Sequence, residues 1–429
     1  MPRRWFLVCC ALAGLAGTAA AQETAPAAPP KRVEVKVELR WRNEFRDNAD
    51  FQPADDFDHF LGQRIRLWLL VRAHSHLSFT IEGQDVWLFD AASDKVIHNT
   101  ATNLHQAYLD WKPGGSAKWE LRAGRQELIY GQERLVGAFN WDNVGRSFDA
   151  ARLRYRRAGW TSDFFWGRLV DVRRGGAPHR PGNQDLYGIY LSRAPQGSAG
   201  RTEIYAFVLH DGLRSTGDLG FGPEATDILT LGFRRAWTPA TGFRYEVENA
   251  WQLGERGPDR HRAAAFIATG GYAWGGRWQP SLAFEYDFAT GDNDPSDGRS
   301  DEFHNLFPTN HPHYGYADLV GLRNLHDFRF TATTRLHPKL TLQGDYHRFL
   351  LAAPRGPWKN AGGRVLGFDR SGQSGRDLGQ EVDITARIPL HKHLNFMAGY
   401  SFFLPGRFAV RTRGPETHHF GYLMTTVRF

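Results

Sequence analysis

The chain of 429 residues carries 53 basic and 46 acidic side chains, a formal charge of +7, and 14% aromatic residues. So mild a balance gives no reason to expect a nucleic-acid partner. Both cysteines, Cys9 and Cys10, stand in a segment expected to be removed, which excludes disulfides and thiolate sites from the mature chain. No stretch approaches the roughly 18 uninterrupted apolar residues of a membrane helix.

Arg3 and Arg4 precede an apolar run from Trp5 to Ala16, and Ala19, Ala20 and Ala21 supply the small residues that signal peptidase needs. Residues 1–21 therefore read as a signal peptide and 22–30 as an Ala/Pro-rich periplasmic spacer, leaving 31–429 as a single domain. Of the 53 basic residues eight are lysine, which leaves 45 arginines. Arginine stays charged and binds carboxylate or phosphate through two parallel hydrogen bonds, which suits a surface that meets anions.

From Lys31 the pattern becomes strict alternation. Val33, Val35, Val37, Leu39, Trp41 and Phe45 fall on one face, and Lys36, Glu38, Arg40, Arg42, Glu44 and Arg46 on the other. Period two means strand. The same alternation recurs over 61–73, 77–89, 104–111, 118–125, 147–157, 160–170, 184–193, 201–211, 227–237, 243–253, 262–274, 277–290, 323–336, 339–351, 379–388, 393–404 and 417–429. With the first segment this makes about 18 strands, an even number and near the length that a tilted membrane strand needs. Long connections such as Asp47 to Phe60 and Gly291 to Leu322 alternate with tight ones such as His74 to His76, Ala158-Gly159 and Gly275-Gly276. Short periplasmic turns and long outer loops produce that asymmetry in outer-membrane barrels. The fold expected is all-β, a transmembrane antiparallel up-and-down β-barrel in the outer membrane of a Gram-negative bacterium. Strand-end aromatics such as Trp87, Trp111, Trp160 and Trp274 suit the membrane interfaces. The terminal Phe429 suits recognition by barrel assembly machinery, and the outer face implies contact with membrane lipid and lipopolysaccharide.

A barrel of this size is too wide for side chains to fill, so a channel is expected. Its inward face carries Arg40, Arg42 and Arg46, then Arg64, Arg66 and Arg72, then Arg152, Arg154 and Arg156, with Arg329 further along. Glu38, Glu44, Glu82, Glu246, Glu285, Asp287, Glu381 and Asp383 share that face, so some arginines are expected to brace the wall rather than meet a solute.

Two segments resemble the alginate export family. The first runs Gly124-Arg125-Gln126-Glu127-Leu128-Ile129-Tyr130-Gly131 through Arg134 to Gly137, followed by Trp141-Asp142-Asn143-Val144-Gly145-Arg146-Ser147-Phe148-Asp149. The second runs Phe303-His304-Asn305-Leu306-Phe307-Pro308-Thr309-Asn310-His311, with Tyr314-Gly315-Tyr316-Ala317-Asp318 after it. The resemblance implies an 18-stranded porin whose best-known relative exports a polyuronate through an arginine-rich pore. It adds Arg125, Arg134 and Arg146 to the pore lining. Arg125 breaks the inward alternation and needs a bulge near Gly124 to reach the lumen. This chain is shorter than the dedicated exporters, and substrate does not transfer with a fold.

The function expected is passive, electrostatically selective passage of an anionic substrate, a polysaccharide or sugar acid, with no enzymatic step. The alternatives are a general small-solute porin, a barrel enzyme or an adhesin. An enzyme needs a histidine aligned with a serine or aspartate, and His210-Asp211 is the nearest approach. The loop holding Asp292, Asp294 and Asp297 crowds oxygen ligands as a structural calcium site does, though without EF-hand spacing. No other cofactor is expected. The pairs His74/His76, His311/His313 and His391/His393 lack a third zinc ligand.

Overall fold

The computed structural model describes residues 32–53, 56–90, 101–113, 118–171, 180–195, 197–216 and 223–429. The expected signal peptide and spacer lie outside these residues. The strands run β1 (Val33–Asp47), β2 (Asp58–His74), β3 (Leu77–Phe89), β4 (Ala101–Trp111), β5 (Trp119–Gln126), β6 (Phe148–Arg157) and β7 (Trp160–Asp171). They continue with β8 (Arg180–Arg193), β9 (Gly200–Thr216), β10 (Pro223–Trp237), β11 (Gly242–Arg256), β12 (Asp259–Ala273), β13 (Ser281–Ala289) and the two-residue β14 (Arg299–Ser300). The remainder are β15 (Leu325–His337), β16 (Leu340–Leu350), β17 (Trp358–Lys359), β18 (Val365–Gly367), β19 (Asp377–His391), β20 (Leu394–Pro405) and β21 (His418–Arg428), with a helix α1 (Arg407–Thr412) before the last.

Three of these, β14, β17 and β18, are short pieces within outer loops. The other strands form a closed 18-strand antiparallel barrel. Closure comes from β1, which pairs with β2 on one side and with β21 on the other, in register from Glu38↔Arg428 to Asp47↔His419. Alternation decides which side chains face where. Leu67, Ile81, Leu153, Phe164, Ile189 and Leu231 are exposed on the outer surface, whereas Arg40, Arg64, Glu82, Arg152, Asp163 and Glu285 are buried on the inner one. Large apolar side chains are normally costly to leave exposed, and a lipid-facing belt removes that cost. Trp111, Trp119, Trp237 and Trp274 stand at the short-turn end of the belt, where an amphipathic ring sits at the headgroup level.

One connection departs from the expected long-short alternation. The outer link between β11 and β12 is only Gly257-Pro258, because both strands run several residues past the belt and Gly257 closes the turn at φ 58°. The expected bulge at Gly124 is also absent. Pairing of β5 with β4 and β6 runs through Gly124 and Arg125 without a shift. Gly124 instead has φ +121°, and a Cβ there would stand 2.3 Å from the carbonyl oxygen of Ala107, so this position needs glycine for close strand approach.

Candidate functional site in the lumen

The connection from β5 to β6, residues 127–147, folds into the barrel. Its apolar residues dictate this. Leu128, Tyr130, Leu135 and Val136 are buried against Phe148, Phe165, Leu186, Tyr190 and Phe207, the inward side chains of β6 to β9. Tyr130 stacks on Phe165 with centroids 5.0 Å apart. Burying these residues from water supplies the driving force, at about 25 cal/mol per Å² of apolar surface.

The two family-like segments meet here. Val136 and Phe307 form a parallel bridge. Phe307 N–H donates to Leu135 O at 2.8 Å, Gly137 N–H to Phe307 O at 2.9 Å and Thr309 N–H to Glu133 O at 2.8 Å. Arg146 rivets the pair: its Nη1 donates to Gly137 O, Phe307 O and Pro308 O at 3.0, 2.5 and 2.9 Å. Burial pulls this guanidinium down to about 10, so it stays charged at neutral pH. Burial raises the Glu133 carboxyl, whose Oε2 accepts from Ala138 N–H and Thr309 Oγ1–H.

A second set of arginines grips the tip of the same loop from β1 and β2. Arg40 donates to Asn140 O at 2.8 Å and to Asn143 Oδ1 at 2.5 Å. Arg64 reaches Asn140 O at 3.2 Å and pairs with Glu38 at 2.6 Å. Arg66 donates to Asn140 Oδ1 at 2.9 Å and to Val144 O at 3.3 Å. Arg42 donates to Trp141 O and lies over the Trp141 ring, 4.3 Å from its centroid. Trp141 in turn stacks on His311 at 3.8 Å, which fixes the second segment against the first. The β2 wall admits the loop because Gly62 has no side chain there, and a Cβ would meet Asn143 Nδ2 at 2.3 Å.

The remaining predicted residues divide clearly. Arg134 is buried between the loop and the opposite wall, bound to Glu285 at 2.9 Å, Asp287 at 3.2 Å and Tyr314 OH at 3.1 Å. Arg329 pairs with Asp345 at 2.7 Å. Arg152 pairs with Glu120 at 3.2 Å and Arg154 takes both oxygens of Asp163 at 2.6 Å. Arg46 pairs with Glu44 at 2.8 Å and remains 30% exposed. Arg125 departs from the expectation, since without a bulge it keeps outward parity and pairs with Asp149 on the outer surface at 2.8 Å. The alternation did not single out Arg122, which faces inward and takes both oxygens of Asp110 at 2.7 and 2.9 Å. Its even position in β5 was a readable signal.

The carboxylates of the acidic loop are engaged locally. Asp292 Oδ1 accepts from Asp294 N–H, Asp294 Oδ1 from Ser296 N–H and Asp297 Oδ1 from Arg299 N–H, so each carboxylate closes its own turn. Among the described residues no three His, Cys, Asp or Glu side chains stand together as a metal site. His210 and Asp211 lie on opposite faces of β9, and His210 pairs instead with Asp227 on the outer surface at 2.5 Å, so they form no catalytic dyad.

A family model described as alginate export matches residues 31–422. Among solved structures, Pseudomonas aeruginosa OccK9 (OpdG) superposes with a TM-score of 0.64 at 14% identity, covering 92% of this chain and 98% of that one. OpdK from the same organism gives 0.62 at 8% identity, covering 92% and 98%. OccK2 (OpdF), solved in complex with glucuronate, gives 0.60 at 11% identity, covering 92% and 96%. Identities this low speak for the fold. No curated protein sequence matches the chain significantly.

Proposed function

The chain belongs to the alginate export family of outer-membrane channels, and from that premise we propose that it passes an anionic saccharide, of the size of a sugar acid or a single polyuronate strand, by passive diffusion. One observation carries the reading. Arg46, Arg72, Arg154, Arg156 and Arg428 all face inward and keep 30, 30, 25, 38 and 39% of their side-chain surface exposed. They are spread from the outer end of β1 to the periplasmic ends of β2, β6 and β21. Guanidinium groups along a confined aqueous passage with low-dielectric walls raise the local concentration of anions. The glucuronate bound to OccK2 is a ligand of that chemistry in a barrel of the same fold.

The opposite wall favours a second reading. Glu246, Glu248, Glu285, Asp287, Asp327, Asp345, Glu381 and Asp383 are buried on the inner faces of β11 to β19. A passage flanked by both signs also suits a general porin for small polar solutes.

The two readings separate in a planar bilayer under a salt gradient, at moderate ionic strength because charges are screened within about 10 Å at 0.1 M salt. The parent channel is expected to prefer anions. The variant Arg72→Ser, Arg152→Ser, Arg154→Ser, Arg156→Ser leaves the loop-gripping arginines in place and is expected to lower that preference, shifting the reversal potential toward zero. A cation-selective parent, or a variant with unchanged reversal potential, would leave only the general porin.

A further inference from the structure

The outer surface carries a row of charges that transport does not use. Arg125, Asp149, Arg168, Asp185, His210 and Asp227 are consecutive cross-strand partners on six adjacent strands, β5 to β10. All six have outward parity, so they form one band that alternates in sign around a third of the barrel. The band is closed by ion pairs: Arg125–Asp149 at 2.8 Å, Arg168–Asp185 at 2.6 Å and His210–Asp227 at 2.5 Å. Trp166 Nε1–H donates to Asp185 at 3.0 Å and anchors the band to the ring beneath it.

Two residues nearer the periplasm the register changes character. The corresponding row is Ala123, Ala151, Trp166, Tyr187, Val208 and Leu229, without a charge. The band therefore lies at the outer edge of the lipid-facing belt, at headgroup level in the outer leaflet. Directly below it is an open groove of about 540 Å³, lined by Leu121, Leu153, Phe164, Trp166, Ile189 and Val208. The small side chains of Ala151 and Ala206 form its floor.

We propose that this face binds a phosphorylated glycolipid of the outer leaflet, with an acyl chain in the groove and a phosphate on the open edge of Arg168. Charge and shape both support that occupant. Asp185 engages Nε and Nη2 of Arg168 from one side while the guanidinium keeps 40% of its side-chain surface exposed, so an anion can approach its other edge. Arg125 is held more closely, with Nε and Nη2 on Asp149, Nη1 on Leu104 O and 14% of its side-chain surface exposed, so Arg168 is the guanidinium open to an anion. Hydrogen bonds between guanidinium and phosphate are charge-assisted and strengthen where water is scarce.

The test is native mass spectrometry of the full barrel in mild detergent, titrated with lipid A and with dephosphorylated lipid A. The parent is expected to hold lipid A about tenfold more tightly than the dephosphorylated form, a modest demand on charge-assisted contacts to one guanidinium. Arg125→Gln with Arg168→Gln is expected to abolish that preference, and Ala151→Trp with Ala206→Trp to weaken both lipids by filling the groove. Asp149→Asn with Asp185→Asn breaks the same ion pairs but keeps the guanidinium groups, and it is expected to retain the preference. If the band only braces the sheet, the two pair-breaking variants behave alike and lose thermal stability without changing lipid choice. Equal binding of both lipids by the parent, no lipid A adduct, or a preference that survives loss of both arginines would overturn the proposal.

Discussion

The fourfold variant Arg40→Ser, Arg42→Ser, Arg64→Ser, Arg66→Ser is expected to pass severalfold more current per channel than the parent while still folding as a heat-modifiable barrel. These four guanidinium groups hold the tip of the 127–147 loop by its own carbonyls: Arg40 at Asn140 and Asp142, Arg64 at Asn140, Arg66 at Val144 and Arg42 at Trp141. A hydrogen bond to a charged group contributes about 1.5–3 kcal/mol, and each 1.4 kcal/mol is a tenfold change in population. Losing four such contacts therefore favours conformers in which the tip leaves the wall. The base of the loop stays put, since the Val136–Phe307 bridge and Arg146 are untouched. Glu38 keeps a partner as well, because Arg428 also binds it at 2.8 Å. Single-channel recording separates this from selectivity: the Arg72/Arg152/Arg154/Arg156 variant is expected to change ion preference with little change in the shape of the passage. Conductance at the parent level in the loop-grip variant would mean that the tip does not set the narrowest section.

Arg134→Met is expected to be the most destabilising single substitution in the lumen. Arg134 is 4% exposed and stands between Glu285 and Asp287, themselves buried on β13. Removing one partner of a buried charge pair typically costs about 3–5 kcal/mol; here both carboxylates lose their nearest cation, and Glu285 keeps only the longer ion-pair contact to Arg329 at 3.7 Å. The midpoint of the heat-induced mobility shift on gels is expected to fall well below that of the parent. Arg134→Lys is expected to be intermediate, since an ammonium keeps the charge but cannot reach Glu285, Asp287 and Tyr314 OH with one planar fork. Adding Glu285→Gln and Asp287→Asn to Arg134→Met is expected to restore part of the loss. An unchanged midpoint for the single variant, or no rescue in the triple, would show that Arg134 does not hold this wall together.

The strand count and the facing of each residue were legible from the chain alone because period two is local: successive Cβ atoms point to opposite sides whatever the strand pairs with. That is why Glu285 and Asp383 read as lumen-facing, and why the inward side of their strands is buried in the fold. The same rule placed Arg125 outward before any fold was known, and only the family resemblance drew it toward the lumen. Partnership was a different matter. Arg40 and Arg64 stand directly opposite each other on β1 and β2, a like-charge pair that is unfavourable on an isolated sheet. What stabilises them is the set of carbonyls from residues 140–144, about a hundred positions away in sequence, brought there by the apolar contacts of Leu128, Leu135 and Val136. Likewise Arg146 read as pore lining until the tertiary structure closed three carbonyls around it. Alternation is set by neighbours in the chain and so survives in the sequence. Which charges are spent on holding loops and which remain for a solute depends on barrel register and loop docking, and those are decided by contacts between segments far apart in the chain.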